Sequence, residues 1–551
     1  MAVWQSSSRW SGITLLCLVA ACSKAAPPRV SGTQLLKSPV ANLYESADGA
    51  WVATLASPEA TSEPGAPKDI QLGSLWLIPA DKSPPRRLGG EVSNLAGSVL
   101  FSADSAFIAF VGGYSVRHGA GALRLARTAG GEVEELGDGV TFFSFSPNSE
   151  WIAWVSDGVL SLRRTASGPA KRVTDGVSVV EFGPKGTPAA GSMLIKRSAR
   201  KGGALLLDDL PTGKLTAIAR GATAFGFAPN GEGLAFECTA LLPPTEVERR
   251  IDVASSRPTG PDAPGLYRII GHDAPRRLTT EPVTDFKFSP VGTRLAYLSL
   301  PSGAPTGDLF ATDGATPARV ATKVSQMQFA ADGSLVLLGS YDAGGSRGTL
   351  GISPPKGDLV QVAENVRQFS VSPKGGYIFY SQDIYRDGAL SIGFAIHKLG
   401  AVPAAKPDII DEGVFGYSTE PNDARLAYKA HCTDSGKSCN LFIADLAKGG
   451  KAEQLAGAIE GFEFGPEGMV VVSTRREADL TGRLIFALGY QRIVPNAPAL
   501  TLDDNMSGEF ALVGSSHHRV VYLVNEPGRE GVYAADLREP PPVVAAGSGA
   551  P

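Results

Sequence analysis

Cysteine and histidine are scarce: five Cys and six His in 551 residues. Each scarcity excludes something. The six histidines form no H-E-x-x-H and no H-x-H, so a helix-borne or strand-borne zinc site has no ligand pair to start from. No D-x-[DN]-x-[DN]-G loop is present, which removes the EF-hand route to calcium. Lys and Arg never run to five in a row, and 51 basic against 55 acidic residues leave a net charge of -4. A nucleic-acid footprint is therefore missing. No stretch holds 18 consecutive apolar residues, so nothing reads as a spanning helix. No segment of ten or more residues keeps a 3.6 period free of Gly and Pro, which excludes helical repeats. No cofactor-binding pattern stands out, since "HGAGALRL" from His118 has Arg124 where the dinucleotide fingerprint needs its last Gly.

Turn formers are abundant, with 65 Gly and 40 Pro beside 43% hydrophobic residues. A globular chain of many short elements is implied. At about 150 residues per domain the length suggests two to four units.

The N-terminus carries the apolar run "ITLLCLVAA" from Ile13 to Ala21, then Cys22. The run is too short to span a bilayer and suits an export signal. "LVAAC" resembles the lipobox of bacterial lipoproteins, which implies a signal peptide over 1–21 and lipidation of Cys22. Ser23 after that Cys implies the outer membrane of a Gram-negative envelope. Acyl chains would then hold the protein to a membrane that it does not cross, at roughly 0.8 kcal/mol per buried methylene.

Export permits disulfides. In "HCTDSGKSCN" Cys432 and Cys439 flank six turn-forming residues, so a strand-loop-strand brings them within bridging distance. A disulfide is expected, the alternative being a metal site using His431 with the pair. Cys238 ends "LAFEC" and reads as a buried thiol.

The dominant feature is a repeat. "FKFSPVGTRLAYLS" at Phe286 has ten relatives, among them "FSFSPNSEWIAWV" at Phe143 and "FSVSPKGGYIFYS" at Phe369. Their turn slots, at 49, 105, 149, 186, 231, 292, 333, 375, 423, 468 and 517, are 37 to 61 residues apart. In the Phe286 copy apolar and polar residues alternate, Ser289-Pro290-Val291-Gly292 turns the chain and "RLAYLS" returns, which is a β-hairpin that the other copies repeat with variant turn residues. A third strand follows, such as "LYRIIG" at Leu266, and often a fourth, such as "RRLTTEP" at Arg276. Four short strands per 40 to 50 residues is the signature of a propeller blade.

The pattern F-S-P-x-G-x-x-[LI]-A-[FYW] followed by L-[YFW]-x-x-[DG] resembles the TolB-like, or WD40-like PD40, β-propeller repeat over residues 40 to 545. The fold expected is all-β, with eleven to twelve four-stranded blades. Eleven exceed the usual four to eight per ring, so two consecutive propellers are expected, over 41–282 and 283–545, the boundary near Pro282 following the proline-rich stretch 239–265. A tether over 22–40 precedes them and a tail over 546–551 follows. The strand "GTQLLKS" is expected to help build a blade of the first ring.

No catalytic, cofactor or metal residues emerge from the repeats. "GGSRG" at Gly344–Gly348 matches a nucleophile elbow formally but lies between strands and reads as a hairpin tip. Asp208-Asp209 and Asp503-Asp504 read as solvated turn carboxylates. The functional expectation is a non-enzymatic, membrane-anchored platform. It would bind envelope proteins, with peptidoglycan or polysaccharide as further ligands. The alternative is a propeller hydrolase or lyase acting on an envelope polymer from a central funnel, which requires reactive side chains from separate blades to converge at one mouth.

Overall fold

The computed structural model describes residues 32–537, apart from positions 68, 82, 272 and 315 and segments 199–202, 243–263, 301–303, 387–388, 402–408, 434–437, 449–451, 466–467, 479–483, 494–498 and 515–516. Cys22 and the lipobox lie outside the described residues, as does most of the proline-rich stretch.

The hairpin around Phe286 shows how a blade forms. Val283–Phe288 pairs antiparallel with Leu295–Ser299, Phe286 opposite Tyr297 and Phe288 opposite Leu295. Between them Ser289 N–H donates to Arg294 O at 2.8 Å, and Gly292 N–H donates to Ser289 O at 2.7 Å. The returning strand is buried at every position, because both faces of a blade's second strand are covered by other blades. Gly307–Thr312 and Ala318–Val324 complete the sheet.

Eleven such units follow in order among the described residues. Blade 1 covers 40–93. Blades 2 and 3 share the strand Glu134–Phe145 within 99–175, and blades 4, 5 and 6 start at 177, 224 and 283. Blades 7 and 8 share Val360–Val371 within 326–412. Blades 9, 10 and 11 occupy 416–536 and share Ala452–Phe464 and Leu500–Val513. A shared strand is the outer edge of one blade and the inner edge of the next, which is why these strands run to 12 to 14 residues.

All eleven turn slots lie in the left-handed region, at φ from 55° to 83°. Glycine takes this conformation without strain; the four that are not glycine are Ser105, Ser149, Asp423 and His517. Three of these use their side chains to tie blades together. Ser105 Oγ accepts from the Asp48 N–H at 3.1 Å and Ser149 Oγ from the Asp104 N–H at 2.9 Å. Asp423 accepts from Ser372 Oγ and from the Gly376 N–H of blade 8. The hydrogen bond offsets the strain that a side chain at positive φ brings.

The inner strands are sheet edges, with backbone groups that the ladder leaves unpaired. Side chains of the preceding blade satisfy several. Glu181 accepts the Phe227 N–H at 3.1 Å, Lys287 donates to Met327 O at 3.2 Å and Gln326 donates to Phe369 O at 2.9 Å.

Packing between blades shows no break near Pro282. Ala235 and Leu266 of blade 5 share one core with Val283, Leu295 and Tyr297 of blade 6. The closing contact joins blade 11 to blade 1: Val52 and Ile78 pack with Val513, Val521 and Val532. Thr33–Lys37, within the stretch expected to serve the first ring, instead pairs with Gly531–Asp536 as the fourth strand of blade 11. The chain thus closes one continuous ring, in place of separate rings over 41–282 and 283–545. The physical reason is that every blade is apolar on both faces, so each face is covered by whichever blade follows, and the first strand latches the last sheet.

Candidate active site

In blade 8, Tyr377–Arg386 pairs with Ala389–Lys398 over ten residue pairs, the two strands forming a tall hairpin. Strand alternation sets Phe379, Ser381 and Asp383 on one face, opposite Ile396, Phe394 and Ile392. Phe379 stacks on Phe394 at 6.3 Å and 14°, and Tyr417 of blade 9 closes on Phe394 at 5.0 Å. Beside these rings lies a cavity of about 210 Å³, with Gln368, Phe369, Ile392 and Phe415 in its wall. Phe415 is 61% exposed and Tyr417 37%. Aromatic rings left open around a concave site mark a binding surface.

Behind the cavity runs a polar relay. Phe394 packs on Tyr428 at 6.0 Å. Tyr428 donates its hydroxyl to Asp411 Oδ2 at 3.1 Å, and His431 Nε2 lies 2.8 Å from Asp411 Oδ1. Asp411 comes from the outer strand Ile409–Glu412 of blade 8; the other two come from Arg425–Thr433 of blade 9. Asp411 keeps 12% of its side chain exposed and His431 keeps 54%. Because a carboxylate only accepts, His431 Nε2 carries the hydrogen and Nδ1 is left with the lone pair. Burial, with the Asp411 charge beside it, holds the Tyr428 phenol protonated well above its ordinary range.

His431 is aimed by local strain. It sits at φ 51° in a bulge between Ala430 and Thr433, with its ring edge-on to Phe442 at 5.1 Å. Bulges re-aim side chains at functional edges. Next in sequence, Cys432 is bonded to Cys439 across the hairpin. With both thiols in the disulfide, the alternative metal site on His431 and the pair has lost two of its ligands. Among the described residues no group of three or more His, Cys, Asp or Glu is placed to hold a metal ion.

Other candidates resolve differently. Ser115, His118 and Glu63 meet at exposed hairpin tips: Ser115 Oγ is 3.0 Å from His118 Nδ1, and Glu63 accepts the Val116 and Arg117 N–H groups. The acid contacts the serine hydroxyl and two backbone N–H groups instead of the far imidazole nitrogen, so this is a loop tie and not a triad. "GGSRG" is a hairpin tip, with Ser346 at φ 50°. His397 is buried, which lowers its pKa. Cys238 is a free buried thiol, its pKa pushed up to about 12 by burial. Asp208 and Asp503, expected in solvated turns, lie buried on strands, and Asp503 pairs with Arg529 at 2.6 Å. Period-two alternation turns one Asp of each pair inward. Among the described residues no helix is long and apolar enough to cross a membrane.

Asp411 and Tyr428 carry no signal of their own in the sequence. Tyr428 occupies the aromatic slot of the repeat, and Asp411 lies in an outer strand 20 residues from His431. Only His431, beside its odd cysteine pair, stood out.

No family model matches this chain, and no curated protein matches it. Solved structures do. They include a eukaryotic initiation factor (TM-score 0.37, 13% identity, 76% of this chain and 96% of that one). A prolyl endopeptidase follows at 0.30 and 16%, covering 65% of this chain, and the tricorn protease at 0.29 and 11%, covering 91%. The chain spans 55% and 57% of those two proteins. Two of these three neighbours are peptidases, in contrast to the non-enzymatic platform expected from the sequence. TM-scores this low describe partial superpositions, so the chemistry of this chain rests on its own side chains. In class, the protein is an all-β propeller of four-stranded antiparallel blades.

Proposed function

We propose that this protein is a TolB-like propeller hydrolase of the bacterial envelope, exported and held to the outer membrane through a lipidated Cys22, and that it cleaves an envelope polymer at the mouth between blades 8 and 9. One observation carries the reading: His431, Asp411 and Tyr428, drawn from two blades, converge within hydrogen-bond reach beside an open aromatic cavity. A hydrolase site needs such side chains from separate elements to converge, and here they do so beside a cavity.

In this mechanism the substrate lies over the aromatic wall. His431 Nδ1 takes a proton from a water as that water attacks the scissile carbon, and returns the proton to the leaving group. Asp411 keeps the hydrogen on Nε2 and stabilises the imidazolium that forms, while the Tyr428 hydroxyl holds the carboxylate in place. The lipobox match and the blade motif support the envelope location, and peptidoglycan is the polymer of first interest.

The test is turnover of purified mature protein on peptidoglycan fragments, followed by mass spectrometry of the products. His431→Gln is expected to remove cleavage while the protein stays folded. Undiminished cleavage in that variant, or none in the wild type, would sink the proposal. Cys22→Ala should release the protein from membranes, and a mature form without acyl chains would refute the anchor.

A further inference from the structure

We infer that the cavity between blades 8 and 9 recognises the C-terminal residue of a peptide, its apolar side chain against Phe415 and Tyr417 and its carboxylate on Arg347 and Arg367. The inference deepens the hydrolytic reading by naming the substrate class, and it rests on the same cavity.

Asp383 stands two residues beyond Ser381 on the same face of blade 8, opposite Ile392 of the cavity wall. That places it about 7 Å up the strand from the wall, a separation that one residue's carboxylate and side chain can bridge. Its carboxylate is 2% exposed and meets two guanidiniums: Arg347 Nη1 at 3.3 Å, from blade 7, and Arg367 Nε, from the strand that blades 7 and 8 share. Arg367 directly precedes Gln368 of the cavity wall and sits at a bulge between Val366 and Gln368.

Two guanidiniums thus share this one buried carboxylate. Asp383 uses one N–H of each guanidinium, of the five each carries. The two arginines remain 36% and 34% exposed, so forked donors face solvent a short way up the strand from the cavity wall. Forked N–H pairs match a carboxylate.

The side chains of the cavity wall are mainly aromatic and aliphatic, Ile392, Phe394, Val414, Phe415 and Tyr417 among them. Only Gln368 and Ser381 bring uncommitted side-chain amide or hydroxyl groups to the cavity wall, since the Tyr417 hydroxyl is bonded to Ser370. A sugar ring would leave most of its hydroxyls unmatched, at a cost of about 1–3 kcal/mol each. A Phe, Leu or Ala side chain would not. Capture of a terminal carboxylate is one of the recurring ways in which proteins read a peptide's free end, and here the guanidinium forks would supply it.

Binding, not turnover, tests this, in the His431→Gln protein so that hydrolysis can fail separately. A fluorescent pentapeptide ending in Ala-Phe is titrated as the free acid and as the C-terminal amide, by anisotropy. The acid should bind at least about tenfold tighter, and Arg367→Gln or Arg347→Gln should each abolish that preference. Phe415→Ser should weaken acid and amide alike and keep their ratio. Melting curves establish that each variant is folded, and two arginine variants guard against one failing. Equal affinity for acid and amide would overturn the inference. So would arginine-dependent binding of a hexuronate oligosaccharide in place of the peptide, or no binding of either.

Discussion

Asp423, in the turn slot of blade 9 at φ 58°, accepts a hydrogen bond from Ser372 Oγ in the turn of blade 8. The same carboxylate takes the Lys374 and Gly376 N–H groups at 3.4 and 3.3 Å. Asp423→Ala should therefore lose the inter-blade bonds and keep the strained backbone, costing about 2–4 kcal/mol. Asp423→Gly relieves the backbone and loses only the bonds, so it should cost less. Urea unfolding of both variants checks the order, and an Ala variant as stable as Gly would refute it.

Asp411→Asn is expected to lower cleavage by about 10²- to 10⁴-fold with little change in stability. The amide can offer its N–H to His431 and so favour the wrong tautomer. Tyr428→Phe keeps the ring against Phe394 and loses only the hydrogen bond to Asp411, so its effect should be smaller. Single-turnover rates with melting curves separate the two.

Reduction of Cys432–Cys439, which spans a sequence separation of 7, should cost about 2 kcal/mol through loop-closure entropy. Because His431 is the neighbouring residue in the bulge, the paired Cys432→Ser and Cys439→Ser variant should also lose cleavage activity beyond what its lower melting point explains. Activity measured well below the melting point decides this.

Leu36→Ala tests the latch. Leu36 is buried in the core that blades 1 and 11 share, and its strand pairs with Gly531–Asp536. The loss should be about 2–4 kcal/mol, with amide exchange rising first in 531–536 and in the first strands of blade 1. Uniform acceleration across the ring would instead mean that the latch is not a local closure.

Glu45, on the inner strand of blade 1, has its pKa raised to about 7, first by burial and then by the Glu463 charge of blade 10. Between pH 4.5 and 7 the folded state therefore holds a proton that the unfolded state has released. Stability from this group is full below about pH 4.5 and falls as pH rises through 7. Glu45→Gln should flatten that decline and raise the melting temperature above pH 7. Since the side chain is open to solvent over more than a third of its surface, the effect should be modest. A melting temperature that falls equally in both proteins would refute it.

The eleven hairpins and their turn slots were legible from residues alone, because Ser-Pro-x-Gly chemistry, positive φ and period-two alternation act within a dozen residues. Every slot, from Gly49 to His517, carries the positive φ that its position in the repeat required. The Cys432–Cys439 pairing was equally local. What tertiary structure decided is how blades meet. Whether blade 5 continues into blade 6 or closes on blade 1 depends on faces that are apolar in every copy, so no single repeat records the answer. Nor does any local pattern bring Asp411 to His431, or Arg347 to Asp383. Those groups lie on different strands, and their partners are set by the stacking of neighbouring blades, which only the closed ring defines.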